Sequence, residues 1–94
     1  MSQLTYKLEI RKHVEKIFEK IAKKDQLQER ALKNKIKQIL ENPYRFKPLR
    51  KPMQGKRRVH IIGPFVLVYS IVERKKTAII EDYDRHDNIY KTNI

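Results

Sequence analysis

Arg57-Arg58-Val59-His60-Ile61-Ile62-Gly63-Pro64-Phe65-Val66-Leu67-Val68-Tyr69-Ser70-Ile71-Val72 decides the fold, because it holds two runs of aliphatic, β-branched and aromatic residues parted by Gly63-Pro64. Runs of that composition favour strands. A glycine that accepts positive φ, followed by proline, makes a tight two-residue turn. The spacing predicts strands at about Lys56–Ile62 and Phe65–Val72. A third run, Thr77 to Asp84, follows the turn Glu73-Arg74-Lys75-Lys76 and extends the hairpin into a meander.

The register implied by these turns sets His60 opposite Leu67, and Leu67 opposite Asp82. Alternation then gives one face Val59, Ile61, Val66, Val68, Val72 and Ile79, a core to be covered by helices. The other face receives Arg58, His60, Leu67, Tyr69, Ile80 and Asp82. A mixed polar and aromatic face of this kind is either plainly wetted or a site.

Upstream of the hairpin the periodicity changes twice. Tyr6, Leu8 and Ile10 alternate with Thr5, Lys7 and Glu9, which predicts a half-buried strand. From about Lys12 the apolar positions Val14, Ile17, Phe18 and Ile21 follow a helical period. Asp25, with Gln28 three residues on, can cap a second helix striped by Leu32, Ile36, Ile39 and Leu40 and stopped at Asn42-Pro43. So short a connection predicts a helical hairpin. Tyr44 to Gly55, with Pro48 and Pro52 among Arg45, Lys47, Arg50 and Lys51, reads as a basic loop.

The 94 residues allow one small domain and a single principal core. With 23 Lys+Arg against 11 Asp+Glu the formal net charge is +12, which points to a polyanionic partner. The basic residues are spread over every segment and form no single amphipathic anchor, so nucleic acid is favoured over membrane lipid. The lack of cysteine removes disulfides and thiolate metal sites. Two glycines leave no phosphate-cradling loop. Met1-Ser2-Gln3-Leu4-Thr5-Tyr6-Lys7 has no signal-type apolar core, and a cytoplasmic protein is expected.

Two imidazoles and a phenol among arginines suggest RNA cleavage: His60 on a strand, then Asp84-Arg85-His86-Asp87-Asn88-Ile89-Tyr90. A nuclease that uses no metal needs groups to take a proton from a 2′-hydroxyl, return one to a leaving oxygen and neutralise a phosphate. His86 and Tyr90, at i, i+4 spacing, could equally serve to pack the tail on the sheet. His13 reads as a solvated residue.

The order strand, helical hairpin, basic loop, three-stranded meander and basic tail resembles the RelE/ParE superfamily of small toxins. The sharpest local similarity is to the YafQ-like branch, through Lys47-Pro48-Leu49-Arg50, Gly55, Arg57, His60, the run Phe65-Val66-Leu67-Val68-Tyr69 and the tail His86-Asp87-Asn88-Ile89-Tyr90. Lys47 stands where that pattern has a loop histidine, Pro64 where it has an acidic residue, and Val66 where many members carry arginine. The resemblance implies an α+β fold in which a small antiparallel sheet, the N-terminal strand plus the meander, packs on the helical hairpin.

It also implies a function: an mRNA endonuclease working at the ribosome, with cleavage by 2′-hydroxyl attack to give a 2′,3′-cyclic phosphate. No cofactor or metal would be needed. His60 and His86 would share the acid and base roles, since imidazole titrates near neutral pH. Tyr90 would stack on a base or bond the ribose, and Arg85 with Arg57 or Arg58 would stabilise the phosphorane. Lys47, Arg50, Lys51, Lys56 and Arg58 would hold RNA backbone. On this reading His60, His86, Arg85 and Tyr90 share one face with the basic loop. A cognate antitoxin would join the toxin in a hetero-oligomer. A ParE-like toxin that binds gyrase without nuclease chemistry, or a non-catalytic RNA- or ribosome-binding module, would fit the same charge.

Overall fold

The computed structural model describes residues 5–50 and 55–92. Strand β1 (Lys7–Ile10) leads into helices α1 (Lys12–Lys24) and α2 (Gln26–Glu41), and a 3-10 turn at Pro43–Arg45 opens the basic loop. Strands β2 (Lys56–Ile62), β3 (Phe65–Val72) and β4 (Thr77–Arg85) follow, and the tail winds into a short helix, α3 (His86–Thr92). The sheet order is β1-β4-β3-β2.

Asp25 joins the two long helices and caps the second, its Oδ1 accepting the Gln28 N–H at 3.0 Å. The hydrogen bonds from Gln28 hold the Asp25 carboxyl below its ordinary pKa. Gln28 is buried. It donates its amide to the second Asp25 oxygen and accepts a hydrogen bond from the Tyr83 hydroxyl. A cap on the hairpin's turn is thereby wired into the sheet. Val14, Leu32, Ile39 and Leu40 supply the helical side of the main core, with Ile17, Phe18, Ile21 and Ile36 packed around them, as the 3.6 period requires.

Strand β1 runs parallel to β4, Leu8 beside Ala78 and Ile10 beside Ile80, so the sheet is mostly rather than wholly antiparallel. The helical hairpin dictates this. Its end returns to where β1 begins, the Leu40 carbonyl accepting the Thr5 and Tyr6 N–H groups at 3.2 Å. The meander therefore starts at that same end, and its first and third strands run with β1. Leu8 stays exposed, since β1 is an edge strand.

The predicted turns are present: Ile62 pairs with Phe65 around Gly63, whose φ is +54°, and Val72 pairs with Thr77. The predicted register does not survive them. One residue is inserted at Ile61, so His60 faces Val66 and Val59 faces Leu67. Another is inserted at Glu81, so Leu67 faces Tyr83, and Asp82 faces Val68. Each bulge shifts pairing by one residue and exchanges the sides of the sheet beyond it.

The face assignment changes accordingly. Val59, Ile61, Leu67, Tyr69, Ala78, Ile80 and Tyr83 form the helix-covered core. Tyr69 is fully buried, and burial pushes its phenol up to about 12; its hydroxyl donates to the Pro43 carbonyl at 2.5 Å. Val66 and Val68, expected under the helices, are buried on the opposite face with Leu49 and Ile89. By alternation Val72 and Ile79 lie on that second face too, half-buried.

At the far end of the sheet the exposed Glu73 carboxylate gathers three donors: Tyr6 Oη at 2.7 Å, Tyr44 Oη and Lys76 Nζ. It thereby ties the residue leading into β1, the start of the basic loop and the β3–β4 turn together. These donors, Lys76 first, lower its pKa from 4.5 to about 2. A depressed carboxylate contributes stability above its unfolded pKa and loses it as the pH falls through the folded value. Glu73→Gln should therefore melt below wild type at neutral pH, and the gap should close between about pH 4.5 and 2 when Tm is followed against pH.

Candidate functional site

The second face of the sheet brings three distant segments together. Val66 and Val68 of β3, Leu49 of the loop and Ile89 of α3 are buried there, with Tyr90 packed against them. This small second core fixes where α3 lies, and polar contacts fix its first turn. The His86 N–H donates to the Pro64 carbonyl at 2.7 Å, and Asn88 Nδ2 donates to Asp84 Oδ1 at 3.1 Å.

On the helix surface an i, i+4 pair lies side by side. The rings of His86 and Tyr90 accordingly meet with centroids 4.6 Å apart. From β2 the Arg58 guanidinium reaches over the same phenol, 5.9 Å from its centre, an arrangement in which cation and ring attract. His60, two residues along β2, shares the face of Arg58 and stands exposed opposite Val66. Its Nε2 contacts the carbonyl of Gly63.

Beside this line, an open groove of about 400 Å³ runs between β2 and the loop, lined by Arg45, Phe46, Lys47, Arg58, Val59 and His60. Three cations around one groove favour an anionic occupant. The Arg58 N–H is held by the Lys47 carbonyl at 3.2 Å, and the Leu49 N–H by the Lys56 carbonyl at 2.8 Å. The loop is thus stitched to the edge of β2 at the groove.

Not every expected residue joins this arrangement. Arg57 and Arg58 are neighbours in sequence but project to opposite sides of the strand. Arg57 pairs with Tyr69, donates to the Phe46 carbonyl at 2.7 Å and lies over the Tyr44 ring at 5.2 Å, so it clamps the loop. Arg85 closes β4 opposite Phe65, whose ring stacks on Tyr83 on the hairpin side. Arg85 therefore does not share the face of His60, Arg58 and Tyr90. Lys56, half-buried opposite Ser70, is on the site's face, while Lys47 and Arg50 are exposed on the loop. Lys51 lies outside the described residues. His13, read as solvated, approaches Asp82 at 3.5 Å, the imidazole exposed and the carboxylate partly so, a pairing worth little.

The residues that reading the sequence missed are Arg45 and Phe46, walls of the groove, and Leu49 with Ile89, the floor beneath Tyr90. The last two carried a signal: each is an isolated apolar residue in a polar segment. Arg45 stood out only as one of the loop's cations and Phe46 not at all, because the loop's path follows no period. Among the described residues no helix is long and apolar enough to cross a membrane, and no three His, Cys, Asp or Glu side chains gather into a metal-binding group.

The arrangement offers a cation for a phosphate, a phenol beside it, and imidazoles within the same exposed face. That is the equipment for charge stabilisation and proton transfer on a phosphodiester. If Arg58 serves that charge and Arg57 serves the loop, their alanine variants should separate. Arg58→Ala should weaken RNA binding and lower its salt slope by about one while leaving Tm nearly unchanged. Arg57→Ala should lower Tm. Salt-titrated binding and thermal melts of the two variants check this.

Residues 4–90 match the family described as ParE toxin of type II toxin-antitoxin system, parDE. A protein of Methanocaldococcus jannaschii named "Putative toxin RelE4" is 43% identical over 86 residues, 92% of each chain. Among solved structures, a YoeB/ParE toxin from Agrobacterium tumefaciens superposes with a TM-score of 0.78 at 17% identity, over 85% of this chain and 98% of that one. A variant of the E. coli toxin RelE in the free state gives 0.74 at 17% identity, over 95% and 94%. The two structures establish the likeness of fold.

Proposed function

The chain belongs to the RelE/ParE superfamily of toxins of type II toxin–antitoxin systems, and from that premise we propose that it is a metal-independent endoribonuclease that cuts mRNA at the ribosome in the cytoplasm. The observation that carries the reading is the line His86–Tyr90–Arg58, with His60 beside it. A gyrase-binding toxin has no need of imidazoles grouped with a guanidinium on one exposed face. A nuclease does.

In the proposed reaction the RNA backbone lies over the second face of the sheet, and Arg58 meets the scissile phosphate. An imidazole removes the proton from the ribose 2′-oxygen, which attacks the adjacent phosphorus. The P–O5′ bond breaks, leaving a 2′,3′-cyclic phosphate, and the second imidazole protonates the departing 5′-oxygen. Tyr90 stacks on a base or bonds the ribose. Lys47, Arg50, Lys56 and Arg45 hold flanking phosphates, a contribution that falls with rising salt. Arg57 and Arg85 take no part in this chemistry. A cognate antitoxin would restrain the activity by covering this face in a hetero-oligomer.

The family description, which names ParE, favours one second reading: a toxin that inhibits gyrase through protein contact. The two differ in their dependence on histidine. Induced expression with 5′-end mapping of cellular messages, for wild type and His60→Ala, tests the proposal. It expects new message ends with wild type and their loss in the variant. Growth arrest without new ends, unchanged in the variant, would overturn the nuclease reading and leave toxicity through binding alone.

A further inference from the structure

We propose that the β2–β3 turn is a positioning device for the acid–base pair, and that the Gly63 carbonyl holds the His60 proton on Nε2, leaving Nδ1 as the general base. This rests on the nuclease reading and assigns within it what the residue types leave open. A carbonyl oxygen only accepts hydrogen bonds, so the contact between His60 Nε2 and the Gly63 carbonyl requires the ring proton at Nε2. The remaining lone pair is then on Nδ1. A base whose far nitrogen is bound by a fixed acceptor has its tautomer and its ring plane set together.

Two further features converge on the same turn. The bulge at Ile61 places His60 opposite Val66, on the face of Arg58 and Tyr90; without it His60 would face the helices. The neighbouring Pro64 carbonyl accepts the backbone N–H of His86, so one two-residue turn fixes the first histidine by its ring and the second by its backbone. The Pro64 ring does no acid–base work. Its carbonyl does the positioning.

Gly63 is the sensitive point. Its φ of +54° is left-handed, and a Cβ built there meets nothing within 4 Å. A side chain would therefore act through backbone strain alone. Gly63→Val should turn the carbonyl away from His60 without filling any space that the fold uses.

The test is long-range ¹H–¹⁵N correlation of the ¹⁵N-histidine-labelled chain at a pH where the ring is neutral, alongside steady-state RNA cleavage. Wild type should show His60 as a single tautomer with its proton on Nε2. Gly63→Val should relax to the mixture seen in the unfolded chain, with kcat down roughly tenfold and KM little changed. A wild-type His60 bearing its proton on Nδ1, or showing the unfolded mixture, overturns the inference while cleavage still upholds the nuclease reading. A held Nε2 tautomer in a protein that cleaves no RNA overturns the base role along with that reading. The wild-type spectrum decides the tautomer even if the valine variant fails to fold.

Discussion

His86→Ala is expected to slow RNA cleavage by roughly 10²–10⁴-fold, the usual contribution of a positioned acid or base, while leaving the fold intact. Such a loss corresponds to about 3–5 kcal/mol of transition-state stabilisation. The side chain is exposed, and its ring touches Tyr90 without entering the core. The link that anchors α3 at this position is the backbone N–H to the Pro64 carbonyl, which alanine keeps. The variant should therefore melt with wild type and bind RNA with nearly wild-type affinity, so that kcat falls and KM does not. A matching loss of Tm would instead show that His86 acts by packing the tail. Single-turnover cleavage combined with a thermal melt separates the two.

Leu67→Ala is expected to remove about 2–5 kcal/mol from a domain whose total stability should be about 5–15 kcal/mol. Leu67 is fully buried, between Val59 and Tyr83 on neighbouring strands and beneath the helical hairpin. Truncation leaves a cavity bordered by strands on both sides, a site with little freedom to collapse. On the face assigned by simple alternation from the turns, Leu67 would have been partly wetted and the same substitution nearly silent. Chemical denaturation of the variant therefore measures the register of the sheet as well as its stability.

That contrast shows what the sequence could reveal. Elements and turns were legible because their signals are local: the 3.6 period of Val14, Ile17, Phe18 and Ile21, the Asp25 cap, the aliphatic run from Phe65 and the Gly63-Pro64 break. Register depends on the count of residues between elements. Ile61 and Glu81 each add one, and neither is a glycine that would advertise a bulge. Leu67, Tyr69 and Ile80 were rightly grouped, but the group faces the helices. Arg58 and His60 part from it at one bulge and Asp82 at the other.

The candidate site was legible to a similar depth. His60, His86 and Tyr90 could be singled out by type, and the i, i+4 spacing gave the contact between the last two. Alternation already set Arg58 on the face of His60, but the task of Arg57 could not be read, since its partners, the Phe46 carbonyl and the Tyr44 ring, depend on the path of the loop. The part played by Pro64 was hidden for another reason. Its contribution is a backbone carbonyl, which every residue has and no composition reports.

The most direct measurement is cleavage of a ribosome-bound message by the purified protein, with and without a single 2′-deoxy substitution at the mapped cleavage position. A 2′-oxygen nucleophile requires that the all-ribose message be cut to a 2′,3′-cyclic phosphate and a 5′-hydroxyl, and that the deoxy message survive. Cleavage of the deoxy message, or no cleavage of either, would contradict it.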